Sequence, residues 1–459
     1  MNGTKIPGGA SYGTTWAIGD VIGVALDLDS SQNTVTFYKN GVSQGPINIT
    51  NARYVFGCSN GQGSSSVTYS TNFGQKPLKY APPEGFKTLC LANLPRPTKA
   101  AVRPDKYFKT MLWTGDGNSS GRHINIGFRP DLIWLKSRGS GNHGVYDSVR
   151  GPDKRLQPDG VASEDTVVFP GASDSGFDFG SETYYNSSST NYVAWSWKAG
   201  GNKNTFNVDD VGYATAAEAG LNGGTITPTG ASVNTESGFS IITYTGDGST
   251  SSGVTINHGL GDTPAFIITK KRSSGTTDYG WSCWHKDIGG NYGIWLHVGN
   301  ARNASMWGGH TNISSTVFSP PDLNYANENG QTYVNYLWSE VRGYSKFGTY
   351  TGNGNANGPF VECGFKPALI ITKQLNGGNS WFMIDTTREP DNPAGRKWFL
   401  ADTNGSEVTN NNKDFDILSN GFKPRLVTGY HNDSGVPYLY MAWAEAPTIN
   451  LYGGQANAR

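Results

Sequence analysis

Charge, cysteine and helix-forming residues are what this 459-residue sequence has little of. Charged residues make up 16%, and 36 Lys+Arg balance 36 Asp+Glu, so no net field draws the chain to nucleic acid or an anionic surface. The four cysteines, Cys58, Cys90, Cys283 and Cys363, lie far apart with no C-x-x-C pair, which argues against a disulfide framework or a thiolate metal site. No window approaches the roughly 18 apolar residues that a membrane span needs. The opening MNGTKIPGGASYG has neither the basic nor the apolar part of a signal segment. A soluble chain made in a reducing cytoplasm is expected, with no membrane insertion and no nucleic-acid partner.

Glycine and aromatic residues are abundant instead: 62 Gly, 23 Tyr, 20 Phe and 13 Trp. Gly and Asn supply the positive φ angles of tight turns, so the composition predicts an all-β protein of many short strands.

A repeat organises the chain. TGDG at 114–117 returns as TGDG at 245–248 and as TGNG at 351–354, each after an alternating strand. A second strand follows with the pattern G-x-x-P-[DA]-x-I-x-x-K, starting at Gly127, Gly261 and Gly364 and ending at Lys136, Lys270 and Lys373. Proline fits a strand start, where its missing N–H breaks no ladder bond. Each unit closes on a strand in which Tyr192, Tyr333 or Tyr438 precedes Trp197, Trp338 or Trp443 by five residues, which places Tyr and Trp on opposite faces. VYDSVRG from Val145 aligns with MIDTTRE from Met383, pairing Asp147 with Arg150 and Asp385 with Arg388 as turn-shaping ion pairs. The middle unit, WHKDIGG, is aligned so that it keeps Asp287 and loses the arginine.

Residues 202–236 interrupt the repeat, and here Asp209 or Asp210 as N-cap, VGYATAAEA and a stop at Gly220 predict one short helix. The expected organisation is tandem β-sandwich-like domains: 1–95, then repeats 105–201, 237–342 and 343–453 around the 202–236 insertion, with a tail at 454–459.

The first segment resembles the SPRY family. Gly19-Asp20-x-Ile22-Gly23, Leu26-Asp27 and Val35-x-Phe37-x-x-Asn40-Gly41 match its pattern, and Tyr54–Leu78 matches its following strands. The resemblance implies a lectin-like β-sandwich used for binding. Only 18 residues precede the motif, so the sandwich is expected to be partial, either truncated or completed by another subunit. The three later units resemble a repeat of large bacteriophage virion proteins, carried by YVAWSWKAGG, GFRPDLIWLK and NVDDVGYATAAEAGL. That resemblance implies a virion protein assembled in the host cytoplasm. The expected role is a tail-fibre or adhesin subunit, with a capsid-decorating or head-fibre protein and a polysaccharide depolymerase as alternatives. Its expected partners are further copies of itself as a homotrimer, other virion proteins, and a host-surface glycan or receptor.

Chemistry is sparse. No H-E-x-x-H, P-loop or EF-hand occurs, and Gly9-Ala10-Ser11-Tyr12-Gly13 lacks the strand and helix of a nucleophile elbow. Cys283, His285 and Asp287 alternate on one strand face, a poor arrangement for a dyad. Asp27, Asp29, Asp116, Asp147, Asp247 and Asp385 are available for glycosidic cleavage but read as turn and surface carboxylates. No catalytic residue, metal or cofactor is expected. Glycan contact is assigned to the aromatic and amide mixture of the middle unit, namely Trp281, Trp284, Tyr292, Trp307 and Asn312, beside His310, with Trp307 expected to be exposed.

Overall fold

A computed structural model describes residues 11–50, 52, 54, 56–58, 68–90, 93, 103–118, 121–167, 169, 171–179, 184–274, 280–309, 311–392, 397–409, 415–425 and 430–447. Gly9, Ala10, His310 and the 454–459 tail lie outside them. The described chain is all-β, in sheets stacked in sandwich-like layers, with one four-residue α-helix at Leu323–Ala326. Contacts divide it into two units, Met1–Arg96 and Pro97–Arg459.

The first unit holds an antiparallel meander of Ile22–Asp27, Thr34–Lys39 and Val42–Asn48. Asn40 and Gly41 turn its second hairpin with φ of 50° and 83°, the left-handed pair of a type I′ turn. Asp20 explains the G-D-x-I-G motif: it accepts from the Ala17 N–H and Asn40 Nδ2, both at 2.7 Å, and pairs with Lys39. Those bonds hold its carboxyl below the usual range. Val24 and Leu26 of the first strand are exposed. Among the described residues of 54–78 no strand is present, and 55 and 59–67 of that expected run lie outside them.

In the second unit each repeat contributes a large sheet and a small one. The shared strand order is first, last, second, third: Phe108–Thr114, Asn191–Trp197, Leu132–Ser137 and Gly144–Asp147 in repeat 1, and the same in repeats 2 and 3. Strand alternation divides the side chains as expected. Tyr192, Tyr333 and Tyr438 face cores private to their own repeats. Trp197, Trp338 and Trp443 face one core common to all three repeats. There the three rings form a triangle with centroids 5.5–6.1 Å apart, each also packed on a phenylalanine from the first strand of its own repeat. The repeats therefore close into a ring about a pseudo-threefold axis, a closure invisible in their tandem order. An apolar gap of only about 20 Å³ remains beside the tryptophans.

The insertion forms no helix. Phe206–Val208 and Val211–Tyr213 make a hairpin on Asp209 and Asp210, whose φ of 50° and 64° are again a type I′ pair. Asp209 cannot cap a helix there because its carboxylate takes the Thr235 N–H and hydroxyl, both at 2.7 Å. Phe206–Val208 pairs in parallel with Gly230–Asn234, which pairs with Phe239–Thr245, so the insertion extends the sheet of repeat 2 to eight strands. Ladder bonds and burial of Phe206 outweigh the helix propensity of the alanines, which keep a single turn. Thr215 and Glu218 cap that turn reciprocally, and Gly220 at φ 70° ends it.

Candidate functional site

The TG[DN]G loop is not a hairpin turn, although Asp-Gly and Asn-Gly are the dipeptides that a type I′ turn takes. Its second glycine has φ of 69°, 74° and 62° in Gly117, Gly248 and Gly354, but Asp116, Asp247 and Asn353 are not left-handed, so the pair needed for type I′ is absent. The loop is instead stapled by a buried asparagine six residues before the repeated tyrosine. In repeat 1, Asn186 accepts from the Asp116 N–H, donates Nδ2 to Asp116 Oδ1 at 2.8 Å and to the Asn118 carbonyl, and its own carbonyl takes the Gly117 N–H. Asn327 and Asn432 do the same in repeats 2 and 3. A Cβ on the first glycine would fall 2.1–2.4 Å from a carbonyl oxygen of Ser187, Glu328 or Asp433, so only glycine admits the clamp. Behind it Tyr192, Tyr333 and Tyr438 each stack on an aromatic residue of the first strand at 5.0–5.4 Å and accept the N–H that follows the asparagine at 3.1 Å. The asparagine-to-tyrosine spacing is the one signal in the sequence that could have revealed it. The loop is a structural clamp.

The Asp–Arg pairs lie at the junctions between repeats. Asp147 is hydrogen-bonded to its partner Arg150, takes the Val149 and Arg150 N–H groups, and accepts Tyr336 of repeat 2 at 2.7 Å. Arg150 continues to Glu164 at 3.0 Å, and Glu164 is paired with Arg272 of repeat 2 at 3.0 Å. The junction of repeats 3 and 1 copies this: Asp385 holds Arg388 at 2.6 Å and accepts Trp195, while Glu407 bridges Arg388 to Arg138 of repeat 1.

Register corrects the alignment of the middle unit. Leu132 faces Asp147, Leu369 faces Asp385, and their equivalent Phe266 faces His285, so His285 rather than Asp287 stands in the aspartate position. Ile288 then replaces Arg150. Arg302, whose N–H reaches the Leu375 carbonyl as those of Glu164 and Glu407 reach Arg272 and Arg138, replaces the glutamate. Leu375 replaces the incoming arginine. Ile288, Leu375 and Leu439 form an apolar cluster with Tyr292, and Arg302 lies over the Tyr292 ring at 4.4 Å.

Other reactive groups also serve these junctions. Trp281 donates to the Gln157 carbonyl of repeat 1 and Trp381 to the Trp295 carbonyl of repeat 2, while His143 meets the Leu400 carbonyl of repeat 3. Lys136, Lys270 and Lys373 are buried against backbone carbonyls, and burial brings Lys136 and Lys373 down to about 8. Burial pushes the Cys283 thiol up and brings His285 down to about 3.

The residues chosen for glycan contact are not brought together. Trp281 lies in the common core and Trp284 and Trp307 in the core of repeat 2. Trp307 is 0% exposed and donates to the Ser319 carbonyl at 3.2 Å, which corrects its expected exposure. The ring is drawn in because it completes an apolar core that also holds Met306, Phe318 and nine Leu, Ile and Val side chains. Tyr292 belongs to the 2–3 junction, and Asn312 is on the surface, donating to the Ser252 carbonyl.

The structure does contain a cavity that the sequence did not point to. It measures about 120 Å³ and lies in repeat 1, lined by Arg129, Asp131, Tyr146, Ser148, Phe169 and Asn202 among others. Asp131 follows the strand-opening Pro130 and is 1% exposed, where repeats 2 and 3 have Ala265 and Ala368. Its Oδ2 takes the Ala199 and Gly201 N–H groups at 2.7 and 3.2 Å, tying down the start of the insertion. Its Oδ1, Arg129 Nε and Ser148 Oγ are buried and make no hydrogen bond with the protein. The Ser148 hydroxyl lies against the Asp131 carboxyl and favours its ionised form. Burial raises the Asp131 carboxyl, opposed by its donors and by the Arg129 charge. Among the described residues no group of three His, Cys, Asp or Glu could hold a metal ion, and no helix is long and apolar enough to cross a membrane.

A family model described as a domain of unknown function, DUF7483, matches residues 103–447, more than half of the chain. No curated protein matches it.

Proposed function

We propose, from the premise that the chain belongs to the DUF7483 family over residues 103–447, that it is a structural protein of a bacteriophage virion, a tail-fibre or adhesin subunit that presents β domains to a host surface. The observation that carries this reading is where the polar chemistry goes. Asp147, Arg150 and Glu164, with their repeat-3 counterparts Asp385, Arg388 and Glu407, lock one repeat to the next. Asp116 and Asp247 hold the clamp loops, and Asp27 accepts the Asp29 and Ser30 N–H groups of its turn. Carboxylates occupied in this way are poor nucleophiles or general acids, which favours an architectural role over a depolymerase. A rigid ring suits a part that bears load between a particle and its receptor. The resemblance of the repeats to virion proteins supplies the setting, with self-association and other virion proteins as the contacts expected of such a part.

The test is to raise antibodies against the purified chain, label phage particles for electron microscopy, and analyse their proteins by mass spectrometry. Stoichiometric presence at a fibre, neck or capsid surface is the expected result. Absence from particles, or release of reducing ends from polysaccharide by the purified chain, would overturn the proposal.

A further inference from the structure

We infer that Ser175, His123 and Asp178 form a hydrolytic site for short-chain acyl esters on the surface of repeat 1. Gly171–Ser173 and Gly176–Phe179 make a tight hairpin, and Gly176–Phe179 pairs with Arg122–Asn125 so that His123 stands directly opposite Asp178. Alternation sends Ile124, Phe177 and Phe179 into the repeat-1 core and leaves His123 and Asp178 on the outer face. His123 Nδ1 lies 2.9 Å from Asp178 Oδ1, and its Nε2 lies 3.0 Å from Ser175 Oγ in the hairpin turn. The carboxylate holds the proton on Nδ1 and leaves Nε2 to accept from the serine hydroxyl, the order that a serine hydrolase needs. Ser173 Oγ, 3.4 Å from Nδ1, is the more distant neighbour. The turn is fixed as well, since the Ser175 carbonyl takes the Ile126 and Gly127 N–H groups at 2.8 and 3.0 Å. Asp178 and Ser175 lie 55 and 52 positions from His123 in the chain, so no local motif announces them.

Ser175 Oγ adds to the carbonyl carbon of the ester while its proton passes to His123 Nε2. The Ser175 N–H, which has no hydrogen-bond partner among the described residues, is available to donate to the oxyanion. The protonated imidazole then gives its proton to the departing alcohol oxygen, which leaves the acyl group on Ser175. Water attacks the acyl carbon, loses a proton to Nε2, and releases the acid with the serine restored. The His123 and Asp178 side chains are 37% and 41% exposed, so an ester on a polymer chain reaches the serine without entering a cavity. An acetyl group, with little apolar surface to bury, suits such an open site.

Repeat 3 shows that the hairpin does not need these residues. There Asn420 takes the place of Ser175, its carbonyl accepting the Cys363 and Gly364 N–H groups in the same way, and Phe360 and Lys423 stand for His123 and Asp178. The same hairpin forms with none of the three, so the fold alone does not account for their meeting in repeat 1. The inference goes beyond the architectural reading and leaves it intact, because ester hydrolysis cuts no glycosidic bond and releases no reducing end.

The experiment incubates the full chain with p-nitrophenyl acetate and with an O-acetylated methyl glucoside, following acetate by NMR, and separately with a fluorophosphonate probe whose site of attachment is mapped by mass spectrometry. Acetate release and a label on Ser175 are the expected results. Ser175→Ala and His123→Ala should each lower kcat/KM at least about a hundredfold, with circular dichroism unchanged. Asp178 is a positioning residue that acts through His123, so Asp178→Asn should lower kcat about tenfold or more with KM unchanged, and Asp178→Glu should restore part of the loss. A chain that takes no label at Ser175, or that hydrolyses both esters equally well as Ser175→Ala, would overturn the inference.

Discussion

The junctions of repeats 1 with 2 and of 3 with 1 are ionic, whereas the junction of 2 with 3 is apolar, although all three use equivalent positions. At the first two, an aspartate, an arginine and a glutamate meet an arginine of the neighbouring repeat. At the third, His285, Ile288 and Arg302 meet Leu375 and Leu439. Changing one member of such a set alone would leave a buried charge unpaired, so the exchange is coherent only as a whole. It also fixes neighbours. Leu375 set against Arg150 and Glu164 would strand both charges, and Arg272 set against Ile288 and Arg302 would bury a like-charged pair. The ring thus closes in one order, a specificity gained from buried ion pairs that add little net stability when complete.

The comparison breaks most sharply when one charge is removed or added. Arg388→Met leaves Asp385 buried, and should lower unfolding free energy by about 3–5 kcal/mol in urea titration. Leu375→Arg should cost a similar amount by bringing a guanidinium to Arg302, and adding Arg302→Glu should recover part of it. No recovery in the double variant would refute the assigned equivalence. Ile288→Ala, by contrast, should lose about 2–5 kcal/mol through a cavity, with little dependence on salt.

Acid should act next, through the buried histidine of the 2–3 junction and through His143 at the 3–1 junction, which burial also brings down to about 3. Burial holds His285 neutral, with a folded value of about 3 against 6.5 for a solvated histidine, so below 6.5 the unfolded chain binds the extra proton. Its contribution is present above pH 6.5 and is lost as pH falls towards 3, at about 1.4 kcal/mol per pH unit. His285→Leu should reduce the slope of the stability profile over that window by that amount, leaving the part due to His143, His258 and His297, measured by denaturation at several pH values. An unchanged slope would mean that His285 does not stay neutral in the fold.

The smallest effects should come from the clamps, which do not differ among repeats. Asn186→Ala, Asn327→Ala and Asn432→Ala should each cost about 1–3 kcal/mol, nearly equal in thermal or chemical denaturation. Unequal losses would show that the repeats differ in more than their junctions.

Much of this is legible in the chain. Strand alternation places Tyr192 and Trp197 on opposite faces, and the Asn40-Gly41 turn is where its residues put it. The Asp–Arg ion pairs are local structure, as their spacing suggests. The helix expected at 211–219 does not form because Asp209 and Asp210 serve equally well as N-caps and as left-handed turn residues, and only the free edge of Phe239–Thr245 decides between them. The aromatic glycan site fails for a related reason: composition cannot tell a ring that fills a core from one offered to a sugar. Asp131 stands at the D/A position of the repeated strand-opening motif, but nothing local marks it as lining a cavity, since its neighbours Ser148 and Phe169 arrive from other parts of the repeat.

The sequence by itself determined the β class, the threefold repetition, the face of each strand that is apolar, and the glycines that the clamp loops require, because these depend on local periodicity and backbone sterics. Only the tertiary structure decided that the three tryptophan faces share one core, that two junctions are charged and one is not, and that a polar cavity opens in repeat 1. Those features depend on which residues, some of them nearly two hundred positions apart, desolvate one another, and desolvation leaves no trace in local pattern.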